Sequence, residues 1–152
     1  MNPTALDPTL PLAAAPGAIG IGYEGQDAET LVGRLRALGV ETLVDVRLTP
    51  ISRKKGLSKT ALSAALENAG IDYLHRRALG NPKHNRPGFA AGGEAKAAAI
   101  AVFRALLDEP AAVDALEEIR KLAQERLVAL LCFEADESCC HRQVILEALA
   151  GS

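Results

Sequence analysis

Residues 28–47 read AETLVGRLRALGVETLVDVR, and this stretch decides the fold class. Ala28–Leu38 sets Leu31, Leu35 and Leu38 on one helical face, and Gly39 follows as a C-cap. Thr42–Arg47 is then a brief apolar run rather than an alternating one, the pattern of a strand covered on both faces. A helix that leads at once into a buried strand is half of a βαβ unit.

Moving outward, the same grammar repeats. Ala18–Tyr23, Ile71–His75 and Leu127–Phe133 read as three further buried strands. Helical patterns fill the gaps. Ser58–Ala69 opens on a serine cap and ends at Gly70. Gly93–Leu107 and Pro110–Glu125 follow, Pro110 suiting a first helical turn. A last helix is expected over Ser138–Leu149. Strands alternating with helices predict an α/β protein with a mostly parallel sheet and helices on both faces, a Rossmann-like three-layer single domain over residues 18–152. Residues 1–17, rich in proline and alanine without a basic region and apolar core, read as a flexible leader and not a signal peptide. Ala78–Gly92, with Pro82, Pro87 and several glycines, reads as a long polar loop, a mobile flap.

Composition narrows the function. With 49% hydrophobic residues the chain supports a core. With only 3% aromatics that core is aliphatic, and stacking platforms for single-stranded nucleic acid are scarce. A net charge of −2 gives no global pull toward nucleic acid or anionic membranes. No apolar stretch approaches the roughly 18 residues of a membrane span. Three cysteines, two of them adjacent (Cys139 and Cys140), are no disulfide framework, so a reducing cytoplasm is the expected home.

In open α/β sheets ligands bind beyond the carboxyl ends of the strands. Here every exit is polar or reactive. The first strand runs into Tyr23 and Glu24. The second ends in Asp45 and Arg47, followed by Ser52, Arg53, Lys54, Lys55 and Lys59. The third carries Tyr73 and His75, and the fourth leads to Cys132, Glu134, Cys139, Cys140, His141 and Arg142. Asp45 and Arg47, two apart on a strand, either pair with each other or serve as acid–base group and anion clamp. The basic stretch before Ser58 is either a solvated loop or an anion site at a helix N-terminus. A cysteine at a helix start beside histidine and arginine has the setting of a lowered thiol pKa, although buried cysteines are often inert. A zinc reading of the cysteines with His75, His84 or His141 lacks the usual short C-x-x-C arms, so no metal site is assigned. The absence of Walker and G-x-S-x-G motifs leaves the cofactor unknown.

These exits carry a resemblance. Ile19 to Gly25, Val44-Asp45-Val46-Arg47 with Pro50 to Arg53, Gly70 to Tyr73, Ala78-Leu79-Gly80, and Leu131 to Glu134 with Cys140-His141-Arg142 occur in order. Together they resemble the small prokaryotic "domain of unknown function 488" proteins. The resemblance spans nearly everything from Ala18 onward and implies a compact α/β fold, with no settled activity. The doubled Cys139-Cys140 departs from the single cysteine of the motif, and Cys140 is taken as its counterpart.

The leading expectation is an enzyme, a hydrolase acting on a phosphate-bearing substrate such as a nucleotide or nucleic-acid component, by glycosidic or phosphoester cleavage. Glu24, Asp45, Glu134, Cys140 and Tyr23 are the candidate catalytic groups. Arg47, Ser52, Arg53, Lys59, Tyr73, His141 and Arg142 are the candidate substrate and anion contacts. The alternatives are a non-catalytic nucleic-acid-binding module using the Arg53–Lys59 loop, and a thiol- or metal-dependent protein centred on the cysteines.

Overall fold

A computed structural model describes residues 16–136 and 140–151. Its chain order is β1 (Gly17–Gly22), α1 (Ala28–Leu38), β2 (Thr42–Asp45), α2 (Lys59–Asn68), β3 (Asp72–His75), α3 (Arg86–Ala91), α4 (Gly93–Leu106), α5 (Pro110–Ala123), β4 (Leu127–Cys132) and α6 (Arg142–Ala150). The four strands form one sheet in the order β1-β4-β2-β3. Every pairing is parallel, with Gly22 opposite Cys132, and Asp45 opposite both Leu131 and His75. The α/β class and the covered parallel sheet therefore stand as the sequence predicts.

Local chemistry explains the elements. Asp27 caps α1, accepting from Thr30 N at 2.8 Å. Gly39 ends α1 in the left-handed region at φ 80°, where its missing Cβ removes the strain. β4, LVALLC, has every residue buried, which suits its place between β1 and β2.

Alternation along the strands splits the core in two. On one face Leu43, Ala129 and Leu131 pack with Leu31 and Leu35 of α1 and Leu62 and Leu66 of α2. On the other, Val44, Val128, Leu130 and Cys132 pack with Phe89, Phe103, Ile119, Val144 and Ile145 of α3 to α6. Each side chain so buried contributes about 1.5–3 kcal/mol.

Three expectations need correction or comment. Residues 78–92 are no outward polar flap: they hold 3₁₀ turns at Arg77–Leu79 and Lys83–Asn85 and the helix α3. Leu79, Asn81, Asn85 and Phe89 are buried there. Asn85 Nδ2 donates to Asn81 Oδ1 at 2.9 Å and to Ala99 O at 3.0 Å, so polar side chains join the apolar Leu79 and Phe89 in anchoring the segment. The last helix starts at Arg142, with His141 as its N-cap. Cys140 therefore precedes the first turn, and its sulfur accepts from Arg142 N at 3.5 Å. The expected leader lies outside the described residues except for residues 16 and 17, and Gly17 already opens β1. No helix of the described residues is long and apolar enough to cross a membrane.

Candidate functional site

A cleft of about 280 Å³ opens at the carboxyl ends of the strands, where a parallel sheet is expected to bind ligands. Tyr23 at the exit of β1, Arg47 beyond β2, and Cys132, Phe133 and Glu134 at the exit of β4 line it. Cys140 and His141 before α6, and Asn81, Arg86 and Phe89 from the segment around α3, complete its wall.

Beneath the cleft lies a closed polar cluster. Asp45 is fully buried. Its Oδ1 accepts from Arg47 N at 3.1 Å and Arg47 Nε at 2.8 Å, and its Oδ2 accepts from Arg47 Nη2 at 2.6 Å. Tyr73 donates its hydroxyl to Oδ2 at 2.5 Å. Arg47 Nη1 also donates to Leu57 O at 2.7 Å and to the Tyr23 hydroxyl at 3.3 Å. Its guanidinium lies over the Tyr23 ring, 5.4 Å from the centroid. Burial alone would lower the pKa of Arg47, but the hydrogen bonds and charge of Asp45 outweigh it and hold the guanidinium charged. Burial, and then the Asp45 bond, push the Tyr73 phenol upward, so it stays protonated. Both oxygens of Asp45 are thus engaged below the cleft, while Arg47 and Tyr23 reach the cleft wall.

The other half of the site grows from β4. Cys132 and Cys140 Sγ lie 2.09 Å apart, at disulfide distance, with Cα atoms 7.5 Å apart. The expectation of separate thiols does not hold for this pair, because the turn after β4 brings residues eight positions apart face to face. Arg142, 1% exposed, spans the same turn. Its Nη1 donates to Glu134 O at 2.5 Å and Cys132 Sγ at 2.9 Å, and its Nη2 donates to Ala135 O at 3.1 Å. His141 Nε2 stands 2.9 Å from Val46 O. A carbonyl only accepts, so Nε2 carries the proton and Nδ1 is bare. Nδ1 faces Cys140 Sγ at 3.5 Å. Burial, followed in weight by the opposing Val46 bond and the charges of Arg86 and Arg142, pulls the His141 pKa down to about 4, and the ring is neutral near pH 7. Among the described residues, the donor atoms of Cys132, Cys140 and His141 lie within 4.8 Å of one another.

Gly22 holds the two halves together. A Cβ on it would overlap the Glu134 carbonyl, and next to it Glu24 N donates to Phe133 O at 2.9 Å. β1 and the turn after β4 thus meet backbone to backbone, which only glycine permits.

The structure brings together Tyr23, Arg47, Glu134, Cys140 and His141 of the residues expected from sequence. It places Asp45 and Tyr73 behind Arg47. Arg142 stands behind the turn, away from the cleft wall. Glu24 is exposed and accepts from Ala135 N at 3.1 Å, bracing that turn. Ser52 closes a local turn through Ser58, and Arg53 and Lys59 are exposed outside the cleft. Sequence reasoning missed Asn81, Arg86 and Phe89, all in the segment read as a flap. The alternation of Leu79, Asn85 and Phe89 with proline and glycine was the available signal, too short to give a period.

A parallel α/β protein with a mixed carboxylate, guanidinium and cysteine cleft at the strand exits is the class that these observations define. Residues 27–149 match the family described as domain of unknown function DUF488, and the chain belongs to that family. No curated protein and no solved structure gives a significant match.

Proposed function

We propose that this protein is a hydrolase of a small phosphate-bearing substrate of the nucleotide class, acting in the cleft by phosphoester cleavage. One observation carries the reading: Glu134 shares a cleft of about 280 Å³ with Arg86, Arg47, Asn81 and Tyr23. That volume sits near the low end of the roughly 300–1,000 Å³ of small-molecule sites, which favours a single nucleotide over a polymer.

The roles follow from position. Arg86 is exposed at the cleft, held through Nε to Asn81 O at 3.2 Å, and takes the phosphate with its outer nitrogens. Arg47 stands behind with its charge matched by Asp45, so it orients more than it attracts. Glu134 is the general base. Water attacks phosphorus, its proton passes to Glu134, and the ester P–O bond breaks. Tyr23 accepts from Arg47 and keeps its own proton to give to the leaving oxygen. Phe133, 47% exposed and edge-on to Tyr23 at 5.4 Å, offers a face to a base.

Thermal shift tests this with nucleoside monophosphates against the matching nucleosides. At about a hundred times Kd a true ligand adds roughly 2.7 kcal/mol, or about 5–10 °C in Tm. The expected result is a shift with the monophosphate only, lost in Arg86→Ala, with turnover abolished in Glu134→Gln and binding retained. A panel flat to every phosphate compound, or an unchanged shift in Arg86→Ala, overturns the reading.

A further inference from the structure

The geometry points to a metal site that the reduced protein forms from Cys132, Cys140 and His141, taking a zinc-class divalent ion with one coordination position open to the cleft. This does not rest on the hydrolase reading.

The three donors converge without rearrangement of the backbone. Their ligand atoms lie within 4.8 Å of one another, and all three residues are buried. A tetrahedral ion with Zn–S bonds of about 2.3 Å holds its two sulfurs roughly 3.8 Å apart. The Cα spacing of 7.5 Å between Cys132 and Cys140 accommodates that, and it is wider than the about 4.4–6.8 Å usual between disulfide partners. His141 is oriented as metal-bound histidines are: Nε2–H donates to a backbone carbonyl, here Val46 O at 2.9 Å, and bare Nδ1 faces the sulfurs. Arg142 Nη1, 2.9 Å from Cys132 Sγ, supplies the outer hydrogen bond that fixes that ligand. All three ligand residues also line the cleft. Two cysteines, one histidine and an open fourth position form a ligand set of catalytic rather than structural zinc. The two sulfurs come from a strand end and a returning turn, so the ligand spacing is set by the fold, and no C-x-x-C arm is needed.

Occupancy requires that the Cys132–Cys140 pair be open. A dithiol reductant supplies two electrons and two protons, giving two thiols and a cyclic disulfide of the reductant. Each thiol then releases its proton as it binds the ion.

The test uses the full chain reduced with excess dithiol, dialysed against zinc and then against metal-free buffer. The expected result is about one zinc per chain by elemental analysis, and a thiolate-to-metal charge-transfer band when cobalt replaces zinc. Azide should perturb the cobalt spectrum through the open position. Cys132→Ser, Cys140→Ser and His141→Gln should each lose the retained zinc, whereas Cys139→Ser and Glu134→Gln should keep it. Because loss of zinc in a cysteine variant is also the outcome of misfolding, the wild-type protein gives the deciding measurement. Zinc should shield Cys132 and Cys140 from alkylation. Reduced protein that retains no zinc, shielding of Cys139 alone, or unaltered retention in both Cys132→Ser and Cys140→Ser would overturn the site. A cobalt spectrum indifferent to azide would overturn its open position. Loss of turnover in Glu134→Gln with zinc retained bears on the hydrolase reading only.

Discussion

Two arginines are almost wholly buried at the carboxyl end of this sheet, and the protein holds them in different ways. Arg47 faces the carboxylate two residues before it, at the end of β2: Asp45 takes its Nε and Nη2 at 2.8 and 2.6 Å. Arg142 reaches across a turn to two backbone carbonyls and a sulfur. The first is a charge met by a charge at the strand end; the second, among the described residues, fastens the backbone of a turn. An uncompensated ion in a low-dielectric interior costs several kcal/mol, whereas a lost carbonyl partner costs the desolvation of a dipole. The same side chain should therefore carry very different weight at the two places.

Removing the carboxylate is the sharpest way to test this. Asp45→Ala leaves Arg47 buried with its ion pair gone, and a loss of about 3–5 kcal/mol is expected from urea unfolding. The double variant Asp45→Leu, Arg47→Met should recover much of that, since an apolar pair of similar volume removes the stranded charge. If the double variant is as unstable as the single, Arg47 is held by packing and the contrast collapses.

Arg142→Met comes next. It keeps the volume but strips the partners from Glu134 O and Ala135 O, which predicts a loss of about 1–3 kcal/mol. The turn should also loosen locally, seen as faster amide exchange around residue 135 with β2 unaffected. Gly22→Ala pushes on the same Glu134 carbonyl, at a cost of about 1–3 kcal/mol through forced backbone shift. Because both substitutions act on one group, their effects should deviate from additivity by about 0.5 kcal/mol or more in a double-mutant cycle. Strict additivity would mean that Gly22 and Arg142 hold the turn independently.

This contrast also marks what the sequence could reveal. Asp45 and Arg47 sit two apart in the chain, so their pairing is a local fact and was legible as one of two alternatives. The four strands and the long helices were legible for the same reason, through short apolar runs and the glycine stop at Gly39. Arg142 was read as a substrate or anion contact beside the thiols, because the carbonyls it meets are placed by the turn after β4. Strand order was hidden, although the all-apolar β4 hinted at a central place. The segment 78–92 was misread because two of its buried residues, Asn81 and Asn85, are polar and satisfied by tertiary hydrogen bonds. No periodicity records such bonds. The carboxylates were grouped as one catalytic set, but Asp45 and Glu134 occupy different layers of the site, a distinction that only burial exposes.

The smallest effect is expected where an arginine–carboxylate pair is geometrically as good as the Asp45 pair but wet. Arg76 Nε and Nη2 reach Glu118 Oε1 and Oε2 at 2.6 and 2.8 Å, with 31% and 39% of the two side chains exposed. The Arg76 hydrogen bond holds the Glu118 carboxyl below its ordinary value. A depressed carboxylate pKa adds stability that is full above the unfolded value and fades as pH falls through the folded one. Glu118→Gln should therefore cost at most about 1 kcal/mol at pH 7, after allowance for solvent screening, and nothing measurable once the pH is low enough to protonate the folded carboxyl. High salt should shrink the neutral-pH difference further, while leaving the cost of Asp45→Ala nearly unchanged, since buried pairs are poorly screened. A salt response equal at both pairs would show that the Asp45 cluster admits water, and the buried half of the comparison would then fail.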